Sequence, residues 1–167
     1  ERGSQLAVKE MIDSGSVFFN DMYFDIERTI NTVNNSGMRA CIGITVMEGH
    51  SLAVENEKRD FVENWRDPSG GRIQLAIAPH AIYTVGKDKL IRSAEWARKY
   101  GLKLHIHLSE TIQEVQDCLK KHGKTPVQYL ESIGFLGPDV VAAHCVHIYE
   151  EEWDILAKHE VSVSHCP

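Results

Sequence analysis

The stretch Gly101–Val115, GLKLHIHLSETIQEV, changes period partway along, and that change decides how the chain is built. Leu102, Leu104, Ile106 and Leu108 alternate with Lys103, His105 and His107, the period of a β-strand. From Thr111 the spacing becomes helical, with Thr111 and Glu114 forming a T-x-x-E capping box ahead of Ile112, Val115 and Leu119. His105 and His107 fall on one side of the strand, and Glu110 lies in the turn beyond it. An imidazole at the carboxyl end of a strand, with a carboxylate shortly after it, lets a metal ligand and a proton shuttle share one small space.

The same strand-then-helix unit recurs on both sides. Upstream, a helix over Glu1–Ser14 presents Leu6, Ala7, Met11 and Ile12 on one face, and Ser16–Asn20 reads as a buried strand. Asp21–Ser36 is helical with Phe24, Ile30 and Val33 inward, Met38–Val46 is a strand, and Glu48-Gly49-His50 is a loop. Ser51–Trp65 is a helix, Asp67–Gly71 a turn, Arg72–Ala78 a strand ending at Pro79-His80, and Lys87–Tyr100 a helix. Downstream, Thr125-Pro126-x-Gln128 starts a short helix. Asp139–Val146 is then a strand, Tyr149–His159 a helix and Glu160–His165 a last strand. One helix, five βα units and a final strand, with apolar strands, predict an α/β protein whose parallel sheet is covered on both sides. Either a doubly wound sheet or an arc of a (β/α)8 barrel satisfies that order. No G-x-G-x-x-G follows any strand, which speaks against dinucleotide binding.

The strand ends carry the chemistry. They place Asn20-Asp21, Glu48 with His50, His80, His107 with Glu110, His144 with His147, and His165 along one edge. In a parallel barrel that edge is the catalytic mouth. Single histidines there are ordinary; one on each of four successive strands calls for a hydrolytic metal centre, where the cation lowers the pKa of water and a Glu moves its proton. His122 and His159 lie at polar helix ends, where solvent or the helix dipole accounts for them.

Composition narrows the classes. The 167 residues are 43% hydrophobic and 25% charged with a net charge of -6, enough for one sizeable core and without the basic stripe that nucleic acid requires. No apolar run is long enough to span a bilayer, and the N-terminus lacks the order of a signal peptide. Cys41, Cys118, Cys145 and Cys166 show no C-x-x-C spacing, so reduced thiols and a cytoplasmic location are expected. Trp65, Trp96 and Trp153 read as packing residues, the Glu150–Glu152 run as a helix start, and Arg59 and Arg66 as a solvated face.

LHIHLSET, VVAAHCVH, APHAIYT and VSVSHCP together resemble the amidohydrolase superfamily of metal-dependent (β/α)8 barrels. They look most like the 5-methylthioadenosine/S-adenosylhomocysteine deaminases and their chlorohydrolase relatives. The resemblance implies that His107 is a metal ligand from the fifth barrel strand and Glu110 the proton shuttle in contact with substrate. It implies that His144 orients the attacking water, and that His80 and His165 contact substrate. His105 and His147 take structural roles in this pattern. The implied cofactor is a divalent metal, zinc first, with iron, manganese or nickel as alternatives. The implied reaction is hydrolytic deamination of an adenosine-like nucleoside. Another heterocycle such as guanine or a triazine, or a non-catalytic scaffold, is the alternative. A small-molecule partner, no nucleic acid, no membrane and a possible homodimer go with it.

Two departures stand out. Ile82 replaces the proline of the usual PHAPYT, and the first-strand H-x-H and eighth-strand aspartate have no counterpart. Residues 1–167 are therefore expected to form an incomplete barrel domain, about strands two to seven, from which the β-sandwich domain is also missing. One ligand of the usual set remains, too few for a tight zinc site, so this fragment is not expected to hold its metal firmly and the polypeptide alone is expected to have little activity.

Overall fold

The computed structural model describes residues 2–167, which divide into two compact units. The first comprises the described residues up to Thr45 together with Gly49–Ala76. It holds α1 (Arg2–Asp13), β1 (Phe18–Asp21), α2 (Ile26–Ser36), most of β2 (Arg39–Val46), α3 (Leu52–Glu63) and the start of β3 (Ile73–Pro79). β1 pairs with β2 in parallel, from Phe18 opposite Arg39 to Asp21 opposite Ile42. β2 is buried along its whole length after Arg39, as a strand covered on both faces must be. Ile30 and Val33 of α2 join this core. Arg72 ties its lower end: Nη1 donates to the carbonyls of Val33 and Met38, and Nη2 to that of Asn34.

The second unit is Val46–Glu48 with Ile77–Pro167. It contains the end of β3, α4 (Lys87–Tyr100), β4 (Lys103–Leu108), α5 (Ile112–His122), α6 (Pro126–Ser132), β5 (Val140–His144), α7 (Glu150–Lys158) and β6 (Ser162–Ser164). β4 pairs in parallel with β5, from Leu104 opposite Val140 to Leu108 opposite His144, and β5 in turn with β6. Leu90 and Ala97 of α4, Leu104, Ile106 and Leu108 of β4, Leu130 and Phe135 are fully buried here. α4 ends where Gly101 adopts φ 64°, a left-handed turn that closes the helix on the carbonyls of Ala97 and Arg98. The capping box at α6 forms as the sequence predicts, with Thr125 and Gln128 bonding reciprocally.

The strands follow one another in the sheet as they do in the chain, β1-β2-β3-β4-β5-β6. A doubly wound sheet reverses its strand order at a switch point. Here no reversal occurs, so the fold is a partial (β/α)8 barrel of α/β class.

Several local expectations are corrected. α1 buries only Val8, while Leu6, Ala7 and Ile12 are exposed. β1 is half-exposed rather than buried, and α2 begins at Ile26, which leaves Phe24 outside the helix and 68% exposed. On α5 the buried face is Glu114, Val115 and Cys118, and both Ile112 and Leu119 are exposed. β4 keeps its alternation at Lys103, exposed, and His107, half-buried, but His105 on the same polar side is buried.

Candidate active site

Histidines of the second unit converge at the carboxyl ends of β3, β4 and β5. His107 is oriented by one carbonyl: both its backbone N–H and its ring Nδ1 bond to His80 O, at 3.0 and 2.9 Å. That bond holds the proton on Nδ1 and leaves Nε2 with its lone pair available. His80 makes the equivalent arrangement through Thr84, whose hydroxyl is 2.8 Å from His80 Nδ1 and donates in turn to Ala81 O. Its imidazole is held below its ordinary pKa by burial first and by His107 second, with Glu110 opposing. The His80 and His107 rings lie 4.8 Å apart, centroid to centroid.

β5 ends differently. His144 has φ 73° and Cys145 φ 51°, two successive left-handed residues without a glycine between them. Such strain persists only where surrounding bonds enforce it. The enforcing bonds run to the β4 turn: Cys145 N–H donates to Leu108 O, and the N–H groups of Val146 and His147 both donate to Ser109 O. The result stacks the His144 ring on that of His107 at 5.4 Å and 28°. His144 Nδ1 bonds to Cys166 O at 2.9 Å, and Nε2 stands 3.6 Å from Glu110 Oε1. His165 Nδ1 bonds to the carbonyl of His144 at 2.8 Å, with its ring exposed.

Glu114 takes a course the sequence pattern does not give. Thr111 Oγ1 accepts its N–H as an N-cap should, but the Glu114 carboxylate bonds to the N–H groups of Ser109 and Glu110, at 3.1 and 2.9 Å. The capping box is therefore half formed, and its acid serves the preceding turn.

His80, His107, Glu110, His144 and His165 thus gather in one unit. His105 is buried beneath, its ring 5.9 Å from that of His107, and His147 holds the turn through its backbone. Glu48 and His50 do not join: Glu48 Oε2 accepts the N–H of Gly86 at the start of α4, and His50 Nδ1 accepts from Lys58 Nζ. Asn20 and Asp21 belong to the first unit, where burial raises the Asp21 carboxyl above its ordinary value. His159 Nε2 is hydrogen-bonded to Glu131 Oε1 at 3.1 Å, and His122 stacks on Tyr129, so neither is a freely solvated helix end. Glu152, in the acidic run read as a helix start, does open α7: it is 1% exposed and caps the helix by accepting Tyr149 N–H. Sequence reasoning passed over Tyr83, whose exposed ring meets His80 edge-on at 5.9 Å; its signal was an aromatic three residues after a site histidine.

The donor chemistry fits a divalent metal at His107, whose Nε2 is free and whose Nδ1 is committed to a carbonyl, as metal-ligating histidines require. Among the described residues no three or more His, Cys, Asp or Glu are placed so that together they could hold a metal ion.

Comparison with known proteins gives the context. The chain is 42% identical over 173 residues to a 5'-deoxyadenosine deaminase of Methanosphaera stadtmanae, covering 99% of this chain and 40% of that protein. It is 42% identical to a 5-methylthioadenosine/S-adenosylhomocysteine deaminase of Thermodesulfovibrio yellowstonii, over 98% of this chain and 38% of that one. The chain thus spans about two fifths of the length of these relatives. Among solved structures, a Xanthomonas campestris adenosine deaminase with bound zinc superposes with TM-score 0.90 at 29% identity, over 99% of this chain and 38% of that one. A guanine deaminase from C. acetobutylicum shares the fold, with TM-score 0.83 at 21% identity over 97% and 42% of the two chains. The amidohydrolase family matches residues 1–167 without remainder, and the chain belongs to that family.

Proposed function

We propose that residues 1–167 supply strands two to seven of the barrel of a cytoplasmic, metal-dependent deaminase acting on adenosine-like nucleosides. One observation carries the reading: Glu110 Oε1 lies 3.6 Å from His144 Nε2, and the His144 ring is stacked on the oriented His107. A carboxylate, a hydrogen-bonding imidazole and a ligand imidazole in contact are what water attack on an amino-bearing ring carbon requires.

In this reading His107 would hold a divalent cation, zinc first, which supplies the Lewis acidity that brings water towards deprotonation at neutral pH. Glu110 takes one proton of the attacking water and delivers it to the ring nitrogen, then carries the proton of the added hydroxyl to the amine, which leaves as ammonia as the carbonyl forms. His144, with Nδ1 committed to Cys166 O, has Nε2 facing Glu110 and holds the water in line. His80 and His165 contact the nucleoside. His80, its pKa lowered by burial and its Nδ1 committed to Thr84, presents Nε2 as a hydrogen-bond acceptor. The partner is a small molecule, with neither nucleic acid nor membrane involved; no helix of the described residues is long and apolar enough to cross a bilayer.

The test is ammonia release by the full-length, metal-loaded enzyme from 5'-methylthioadenosine, S-adenosylhomocysteine, 5'-deoxyadenosine, guanine and a chlorotriazine. Adenosine-type substrates are expected to turn over, with kcat reduced about 100- to 10,000-fold in Glu110→Gln. Full activity in that variant, or turnover of the triazine alone, overturns the reading. The 1–167 polypeptide by itself is expected to show little turnover, because its ligand set is partial.

A further inference from the structure

We propose that Glu114 is a positioning residue for Glu110, fixing the turn that carries it by holding two consecutive backbone N–H groups on one carboxylate. The proposal rests on the deaminase reading above, which gives Glu110 the proton transfer.

The turn at Ser109 is unfavourable on its own. Ser109 has φ 49° and is wholly buried, and its hydroxyl has no partner among the described residues, so the side chain does not stabilise its own turn. Stabilisation comes from outside on both faces of the turn. The carbonyl of Ser109 receives the N–H groups of Val146 and His147, and the N–H groups of Ser109 and Glu110 go to the two oxygens of Glu114. Glu114 is only 5% exposed. A carboxylate so buried is tolerable when donors compensate it, and each of its oxygens here accepts one N–H. Burial raises the Glu114 carboxyl above its ordinary value while the bonds from Glu110 and Ser109 work against that rise.

The consequence falls on Glu110. Its Oε1 is 3.6 Å from His144 Nε2, room too narrow for loose placement, so a small shift of the turn changes how the two groups face a shared water. A helix cap alone would put the Glu114 side chain on Thr111 N–H. The Glu114 carboxylate still feels the Thr111 N–H, but its two close hydrogen bonds go to the N–H of the residue that moves the proton and of the residue before it.

The experiment compares full-length wild type with Glu114→Gln, which keeps the shape but presents an amide N–H to one of the two donors. Expected are a kcat for 5'-methylthioadenosine reduced about 10- to 100-fold, with bound metal unchanged and KM within about threefold. Amide hydrogen exchange in the peptide containing Ser109 and Glu110 is expected to accelerate. Should Glu114→Gln fail to fold, Glu114→Asp, which withdraws the charge by one methylene, is read by the same measures. Unchanged exchange overturns the proposal. So does a kcat loss that merely tracks lost metal or lost folded protein. A wild-type enzyme that releases no ammonia sinks the deaminase reading instead, and the exchange comparison still decides whether Glu114 holds the turn.

Discussion

Truncating Arg98 to Ala should be among the costlier single changes at the surface of the second unit. Arg98 lies in the last turn of α4 and reaches across the amino end of β5, away from the histidines. Its Nε bonds to Asp139 Oδ2 at 3.1 Å, Nη1 to Gly134 O at 3.0 Å and Nη2 to Phe135 O at 2.8 Å. The ion pair is partly exposed, with 42% and 21% of the two side chains accessible, and contributes at most about 1 kcal/mol. The carbonyl of exposed Gly134 rehydrates once freed, so its bond adds about 0.5 kcal/mol. The Phe135 carbonyl belongs to a fully buried residue and loses a charged donor, at about 1–2 kcal/mol. The sum is about 2–3 kcal/mol, or roughly 8–24 °C in unfolding midpoint for a unit of this size. Asp139→Asn removes only the ion pair and should cost no more than about 1 kcal/mol. Gly137 belongs to the same device, because a Cβ there would stand 2.5 Å from Asp139 Oδ1 and 3.3 Å from Arg98 Nη2. Unfolding of the three proteins followed by circular dichroism makes the comparison. If Arg98→Ala costs no more than Asp139→Asn, the carbonyl bonds contribute nothing and the reasoning is wrong.

Two further outcomes follow from the same structure. Burial pushes the Cys118 thiol up to about 11 and that of Cys145 up to about 12, whereas Cys166 is exposed. At pH 8 the thiolate fractions of the two buried groups are about one in a thousand and one in ten thousand. Of the four thiols only Cys166 should label rapidly by peptide mapping, and fast labelling of Cys145 would contradict its burial. Glu131 accepts from Lys158 and His159, and these bonds hold its carboxyl below the usual 4.5. Its contribution to stability is therefore complete above pH 4.5 and is lost as pH falls through the lower folded value. Glu131→Gln should flatten the acid limb of a midpoint-versus-pH curve; an unchanged limb would assign acid sensitivity elsewhere.

The sequence by itself determined the elements and the edge on which the chemistry lies. Period-two runs, T-x-x-E and T-P-x-Q starts and terminal glycines are local signals, and Lys87–Tyr100 comes out with the same bounds in both. Alternation of strand and helix fixed His80, His107 and His144 at strand ends before any contact was known, because βα connectivity puts those ends together. Periodicity left the barrel and doubly wound orders open, since both share the same local periods; the motif resemblance implied the barrel, and the strand order bears it out. The tertiary structure alone sent the Glu114 carboxylate to Ser109 and Glu110, and put His144 in a left-handed conformation. Local pattern also misjudged Leu6, Phe24 and Leu119, whose apolar character promised burial they do not have. The physical reason is common to all of these. Backbone period is set by neighbours in sequence, but the partner of a carboxylate, the strain at a strand end and the burial of a side chain are set by residues that only folding brings near.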